Sequence, residues 1–279
     1  MSSSTFGDGE LPPRPEGISR TIEGFRIQGR VIHALLMREM TTRFGRGQLG
    51  FLWLVIEPLT LATAIGLIHW AGIRGGGHTE KGSIPIFLFY VVGYAPFFAF
   101  RAIINRAPGA LYANMTLMYH RQVRLSDVMI ARNLLEGAAI FGVLTLIIGG
   151  AIWFVDRPPY SLPIAATALV IMFAMSNGIS MLIAAAAVRW EIVDRITHPL
   201  TYLSLPFSGA FFWLHHLPPS WREKLLWSPQ PNIHEMLREG MFGPVVPAYY
   251  DVVYVLWWVL GLNLLGLAAI RAVRPRLEF

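Results

Sequence analysis

No cysteine occurs among the 279 residues. Its absence excludes disulfides, thiolate metal sites and a cysteine nucleophile. Lysine is nearly as scarce, with only Lys81 and Lys224. Lys81 is followed by Gly82 and Lys224 by Leu225, so neither completes the Gly-Lys-Ser/Thr end of a phosphate-binding loop. A nucleotide that drives this chain must bind another one. Charge of either sign is thin, at 14% of residues. There is no His-Glu-x-x-His, and the adjacent His215 and His216 point to different sides of a helix, so no metal site is expected. No carboxylate cluster suggests acid–base catalysis: Glu57 and Glu136 are scattered among apolar segments.

What the chain does have is hydrophobic length. Apolar residues make up 54% and come in long blocks rather than in alternation. That pattern predicts an all-α, polytopic membrane protein. Six spans are expected at about 51–73, 84–104, 132–155, 162–188, 196–217 and 252–270. Residues 1–20 are rich in Ser, Gly and Pro and read as a disordered cytoplasmic tail. Residues 21–279 then form one transmembrane domain. An inside N-terminus puts 17 of the 23 lysines and arginines on the inner side. The outer six are Arg74, Lys81, Arg157, Arg222, Lys224 and Arg238. This asymmetry predicts both termini in the cytoplasm and accounts for the net charge of +6 without nucleic acid.

Two regions stand out from the spans. The first is residues 37–58, MREMTTRFGRGQLGFLWLVIEP. It begins as part of a basic amphipathic helix (21–46), bends at Gly45, Gly47 and Gly50, and enters the bilayer from Phe51. Glu57 is a carboxylate inside that first span, where it needs a partner such as Arg43. The second region, 218–247, is too long for a turn and too interrupted for two spans. Ser220 with Glu223, and Asn232 with Glu235, have capping-box spacing. They predict short helices near Trp221–Trp227 and Ile233–Glu239, the second stopped by Gly240, lying re-entrant or along the interface. Arg132 and Glu136, four apart, are expected to pair at the mouth of the third span.

Arg38-Glu39, Arg43-Phe44-Gly45, Leu49-Gly50, Trp53 and Glu57-Pro58, in that order, resemble the opening of the ABC-2 type transport permeases. The likeness is greatest to the KpsM-like branch, inner-membrane subunits that export capsular polysaccharide. It continues through Asn114, Arg121 and Ala131-Arg132, and through Trp221, Trp227, Pro229 and Glu235. It covers roughly residues 21–274.

The resemblance implies a permease that is not itself an enzyme, carries no cofactor, and works as a homodimer in the bacterial inner membrane. Its partners would be an ABC ATPase holding ATP and Mg, a periplasmic co-polymerase-type protein and an outer-membrane export channel. Its cargo would be a lipid-linked polysaccharide. Arg38, Arg43 and Arg46 become candidates for the substrate's lipid phosphate, with Glu57 as a structural tie at the entrance. Tyr119, His120, Arg121, Arg124 and Ser126 fall in the coupling segment that docks on the ATPase. Trp53, Tyr90, Tyr94, Phe98, Tyr202 and Phe211 are candidate channel lining, although aromatics in spans also pack between helices. Trp213, Trp221 and Trp227 are candidates for an outer gate. The alternatives are an O-antigen exporter permease, an integral-membrane transferase acting on lipid-linked sugars, and a membrane scaffold.

Overall fold

The apolar blocks end where the chain meets proline, glycine or charge, and the helices follow those limits. A computed structural model describes residues 17–44, 84, 86–119, 123–155, 158–245 and 247–277, with isolated positions between 56 and 68. Among these residues the protein is all-helical, with eight α-helices and no strand. They are α1 (Gly17–Phe44), α2 (Ile86–Asn105), α3 (Leu125–Val155), α4 (Leu162–Arg189), α5 (Ile192–Leu203), α6 (Pro219–Leu226), α7 (Pro229–Phe242) and α8 (Val252–Val273). Three described stretches are long and apolar enough to cross a membrane: Leu88–Asn105, Leu162–Arg189 and Val252–Arg276. The first expected span, 51–73, lies outside the described residues apart from isolated positions. So do Arg46, Trp53, Glu57, His120 and Arg121, and the side chains of Arg43 and Tyr119.

α4 is the hub. It packs most extensively on α8 and also touches α2, α3, α5 and α7. Glycine permits the close α4–α8 approach: a Cβ on Gly178 would lie 2.8 Å from the Leu262 backbone, and one on Gly266 would lie 2.9 Å from Gly178 O. Small residues at a membrane helix crossing bring the backbones together and increase dispersion contact. Three asparagines then join three helices. Asn133 on α3 donates to Asn177 Oδ1 (2.8 Å) and Ser180 Oγ (2.6 Å) on α4, and Asn177 donates to Asn263 Oδ1 on α8 (2.9 Å). Asn263 donates in turn to the carbonyls of Ala174 and Val259. Each of these three asparagine amides has a partner, as an apolar surrounding requires.

Several expected boundaries shift. α1 begins at Gly17, inside the stretch read as tail, and α3 begins at Leu125, well before residue 132. Asp127 explains the second shift. Its carboxylate accepts from the Arg124 N–H (3.4 Å), the reciprocal half of a capping box, and so opens the helix early. Neither capping box predicted in 218–247 forms. α6 and α7 start at Pro219 and Pro229, because proline at the first helical position has no N–H to satisfy. Ser220 and Asn232 therefore lie inside helices. Gly240 does not end α7, which runs to Phe242 and stops at Gly243 with φ +71°, a conformation that favours glycine. Glu136 pairs with Arg106 at 2.6 Å, while Arg132 Nε lies 3.9 Å from Glu39.

The largest departure concerns the fifth span. Helix α5 is only 12 residues long, and Leu205–Phe207 continues it as one 3-10 turn. Together, residues 192–207 reach about 24 Å at 1.5 Å per residue, short of a hydrocarbon core of about 30 Å. Beyond them the chain turns through residues 208–212 before a further 3-10 turn at Leu214–His216. A window over 196–217 reads as apolar throughout, but Pro199, Pro206 and Gly209 break the helical ladder. Irregular backbone inside a membrane protein survives only where protein covers it. Ser208, Gly209, Ala210, Trp213 and Leu214 are all buried here.

Candidate functional site

The broken segment creates a chemical problem, since its carbonyls lose their helical donors. Arg238, on the middle turns of α7, supplies them. One guanidinium nitrogen donates to Phe212 O (2.6 Å), and the other donates to Gly209 O (2.6 Å) and Ala210 O (2.7 Å). The side chain is wholly buried, at 0% exposure. Its charge is met by Glu235 one turn earlier, with Nη1 and Oε1 3.3 Å apart, and by the faces of Phe89 (4.6 Å) and Trp213 (5.3 Å). Glu235 in turn accepts from the backbone N–H groups of Leu214 (3.3 Å) and Tyr249 (3.4 Å). One ion pair thus holds both strands of chain that flank α7.

His234, one turn before Arg238 on the same face of α7, completes the cluster. Its Nδ1 lies 3.0 Å from Gln230 O and its Nε2 3.2 Å from Gly93 O on α2. A neutral ring donates to only one of these carbonyls. Burial, and then the neighbouring Arg238 charge, nevertheless hold the imidazole well below its ordinary value, at about 4. Burial pushes the Glu235 carboxyl upward, against the pull of Arg238 and its two backbone donors. Gly93 has no room for a side chain: a Cβ there would sit 2.0 Å from Ala210 O and 3.2 Å from the Arg238 guanidinium. α2, the broken segment and α7 therefore meet at one point.

The aromatic candidates divide. Phe211 stacks on Tyr94 (5.8 Å, 5°) and lies 6.0 Å from Tyr90, while Phe98 lies 6.2 Å from Tyr94. These four form one cluster between α2 and the broken segment. Tyr202 stands apart on the exposed side of α5, its ring capped by Arg101 at 3.5 Å. Trp213 is buried against Phe89 and Arg238, whereas Trp221 and Trp227 are exposed.

A second polar centre lies where α1 crosses α3. Gln28 donates to Asp127 Oδ1 (2.8 Å), Arg38 donates to Asn114 Oδ1 (3.1 Å), and Arg132 faces Glu39. Asp127 is 1% exposed and also accepts from Ser126 (3.3 Å). Arg38 therefore has a protein partner while its side chain stays exposed. Tyr119 closes the 3-10 helix Tyr112–Tyr119, Arg124 is exposed just before α3, and Ser126 lies in the first turn of α3.

In the sequence Arg238 reads as an outer-loop charge and Glu235 as a capping partner. The interior takes both. The available signal was Glu-x-x-Arg at i, i+3 spacing among Ile233, Met236, Leu237 and Met241, on a segment following a proline-broken span.

Residues 30–242 match the model of the family described as ABC-2 type transporter. The chain is 37% identical over 259 residues to the capsule polysaccharide export inner-membrane protein BexB of Haemophilus influenzae, covering 92% of this chain and 96% of that one. It is 37% identical over 250 residues to the capsule polysaccharide export inner-membrane protein CtrC of Neisseria meningitidis serogroup B, covering 89% and 92%. It is 29% identical over 254 residues to the polysialic acid transport protein KpsM of Escherichia coli, covering 89% and 95%.

Proposed function

The chain belongs to the ABC-2 type transporter family, and from that premise we infer that it is the permease subunit of a capsular polysaccharide exporter in the bacterial inner membrane. The observation that carries this reading is end-to-end similarity to inner-membrane proteins named for capsule polysaccharide export, over about nine-tenths of both chains. Membership in this family implies an ABC ATPase partner, which fits a chain without a phosphate-binding loop.

In this reading the chain crosses the membrane six times with both ends in the cytoplasm, and the fifth crossing is a short helix finished by buried irregular chain. α6 and α7 lie re-entrant at the outer side. Two copies pair, each with one ATPase subunit that holds ATP and Mg. A periplasmic co-polymerase-type protein and an outer-membrane channel receive the polysaccharide. Arg38, Arg43 and Arg46 meet the phosphate of the lipid anchor through charge-assisted hydrogen bonds, and Glu57 ties the entrance. The exposed Arg38 side chain, already oriented by Asn114, supports that role. Residues 119–126 pass the ATPase stroke into α3, which starts within that stretch.

The decisive experiment co-expresses the chain with its ATPase, reconstitutes the complex in vesicles and follows ATP-driven movement of lipid-linked polysaccharide. Transport that requires both subunits is expected. A complex that hydrolyses ATP yet moves no polysaccharide overturns the reading. Charge reversal at Arg38 and Arg46 is expected to cut transport while insertion is retained, and unchanged transport removes those arginines from the entrance.

A further inference from the structure

A cleft of about 640 Å³ opens beside the Glu235–Arg238 ion pair, between the end of α6, α7 and the first turn of α8. Such a volume suits a small ligand. Its walls are chiefly aromatic: Trp227, Tyr249, Tyr250 and Tyr254, with the Asp251 carboxylate among them. Trp227 is 78% exposed, so its indole is presented rather than packed away.

The cleft is built rather than incidental. Tyr254 donates its phenol to Trp227 O (2.5 Å), fixing the turn that carries the indole. Asn232 is buried. It donates to Leu226 O and Ser228 O and accepts from the Asp251 N–H (3.0 Å), joining both walls. Asp251 uses Oδ1 to cap α8 at the Tyr254 N–H (3.0 Å), and its carboxylate remains exposed. Tyr249 is braced by Arg222 above its ring (4.1 Å) and by the parallel His215 ring (6.2 Å, 8°).

We propose that this cleft binds a pyranose unit of the polysaccharide, a saccharide subsite separate from the Tyr90–Tyr94–Phe98–Phe211 cluster. The inference rests on the exporter reading above. A pyranose presents weakly positive C–H groups on its face, and an aromatic ring presents a negative face to them. Its hydroxyls are donors, and an exposed carboxylate is a strong acceptor. An indole beside an exposed carboxylate matches both ends of that chemistry. A bound unit stacks on Trp227, donates to Asp251, and leaves any acidic substituent directed toward Arg222. Binding at one unit suits a chain in passage, since each unit is held and released in turn.

The test uses the full-length protein in lipid nanodiscs, titrated with short oligosaccharides made by partial hydrolysis of the source cell's capsule. W227A removes an exposed side chain, and D251N keeps the helix cap while removing the charge. Each is expected to weaken binding about tenfold, the effect of losing one stacking or one charge-assisted contact. W257A, on the exposed side of α8 away from the cleft, is expected to bind as wild type. Equal binding by W227A, D251N and wild type, or no binding by wild type, overturns the subsite. Loss of periplasmic-partner capture with sugar binding unchanged also overturns it, by assigning the cleft to a protein. Vesicle transport by the wild-type complex is measured in parallel. Transport without a cleft effect removes the subsite alone, and absent transport removes the exporter reading itself.

Discussion

At the residue scale, Arg238 does work usually left to a helix. The broken span leaves the carbonyls of Gly209, Ala210 and Phe212 in a dry interior, and each unsatisfied group there costs about 1–3 kcal/mol. One guanidinium offers five donors in a plane and spans all three. Arg238→Met keeps the volume but strands both the carbonyls and Glu235. Breaking a buried pair in this way costs about 3–5 kcal/mol. Thermal unfolding in detergent is expected to show that loss, with Arg238→Lys intermediate because an ammonium lacks the fork. His234 gives a pH prediction. Its folded value of about 4 lies below its ordinary 6.5, so the unfolded chain takes up the proton first as pH falls. His234 therefore contributes stability above pH 6.5 that is lost progressively toward pH 4, on the order of 3 kcal/mol in all. The raised Glu235 carboxyl acts in the opposite sense from its ordinary 4.5 upward, inside the same pH window, so the comparison must be between variants. Wild type is expected to lose more stability than His234→Gln between pH 6.5 and pH 4. Parallel curves would show that the ring titrates normally.

At the element scale, α1 is tied to the rest of the protein by a few polar straps beside a half-buried apolar face. Ile22, Phe25 and Met37 on it are exposed, while Gln28, Arg38 and Glu39 reach toward Asp127, Asn114 and Arg132. A surface helix lying in the headgroup region uses its apolar side for acyl chains, so its attachment to the protein also draws on its polar side. Asp127 serves both needs, since it caps α3 and anchors Gln28. Asp127→Ala is expected to cost about 2 kcal/mol, the range for hydrogen bonds to a charged group, and to loosen α1. Because the chain has no cysteine, a single Met37→Cys reports this directly. Its maleimide labelling is expected to quicken in the Asp127→Ala background, and an unchanged rate would show that α1 is held elsewhere. The helices Leu162–Arg189 and Val252–Val273 begin and end close to the apolar blocks 162–188 and 252–270, whose ends coincide with charge or proline. The stretch 196–217 is not one continuous helix, and its apolar composition carries no record of the lost hydrogen bonds. Its rescue comes from residue 238, far along the chain, where composition reads only an outer loop.

At the scale of the whole molecule, much of the surface is apolar. Leu256, Trp257, Leu260, Leu264 and Leu265 on α8, and Ile192, Ile196, Leu200 and Leu203 on α5, are all exposed. Surfaces of that extent belong against lipid or another subunit. Native mass spectrometry of the complex purified with its ATPase is expected to give two copies of each chain. One copy of each would contradict the paired arrangement. The family likeness was legible in the motif order around residues 38–58 and 114–132, because it is carried by short runs of adjacent residues. The Arg238–Glu235–His234 cluster was not, since its parts come from three separated segments: Gly93, residues 209–214 and residues 234–238. The manner of its assembly has a mechanical consequence. Three carbonyls of one irregular segment are bound by a single rigid plane, so that segment is cargo of α7. A tilt of α7 drags residues 209–212 with it as one piece. Pulling them apart would bare three carbonyls and a cation together, so the joint either travels whole or ruptures whole, with no stable half-released position between.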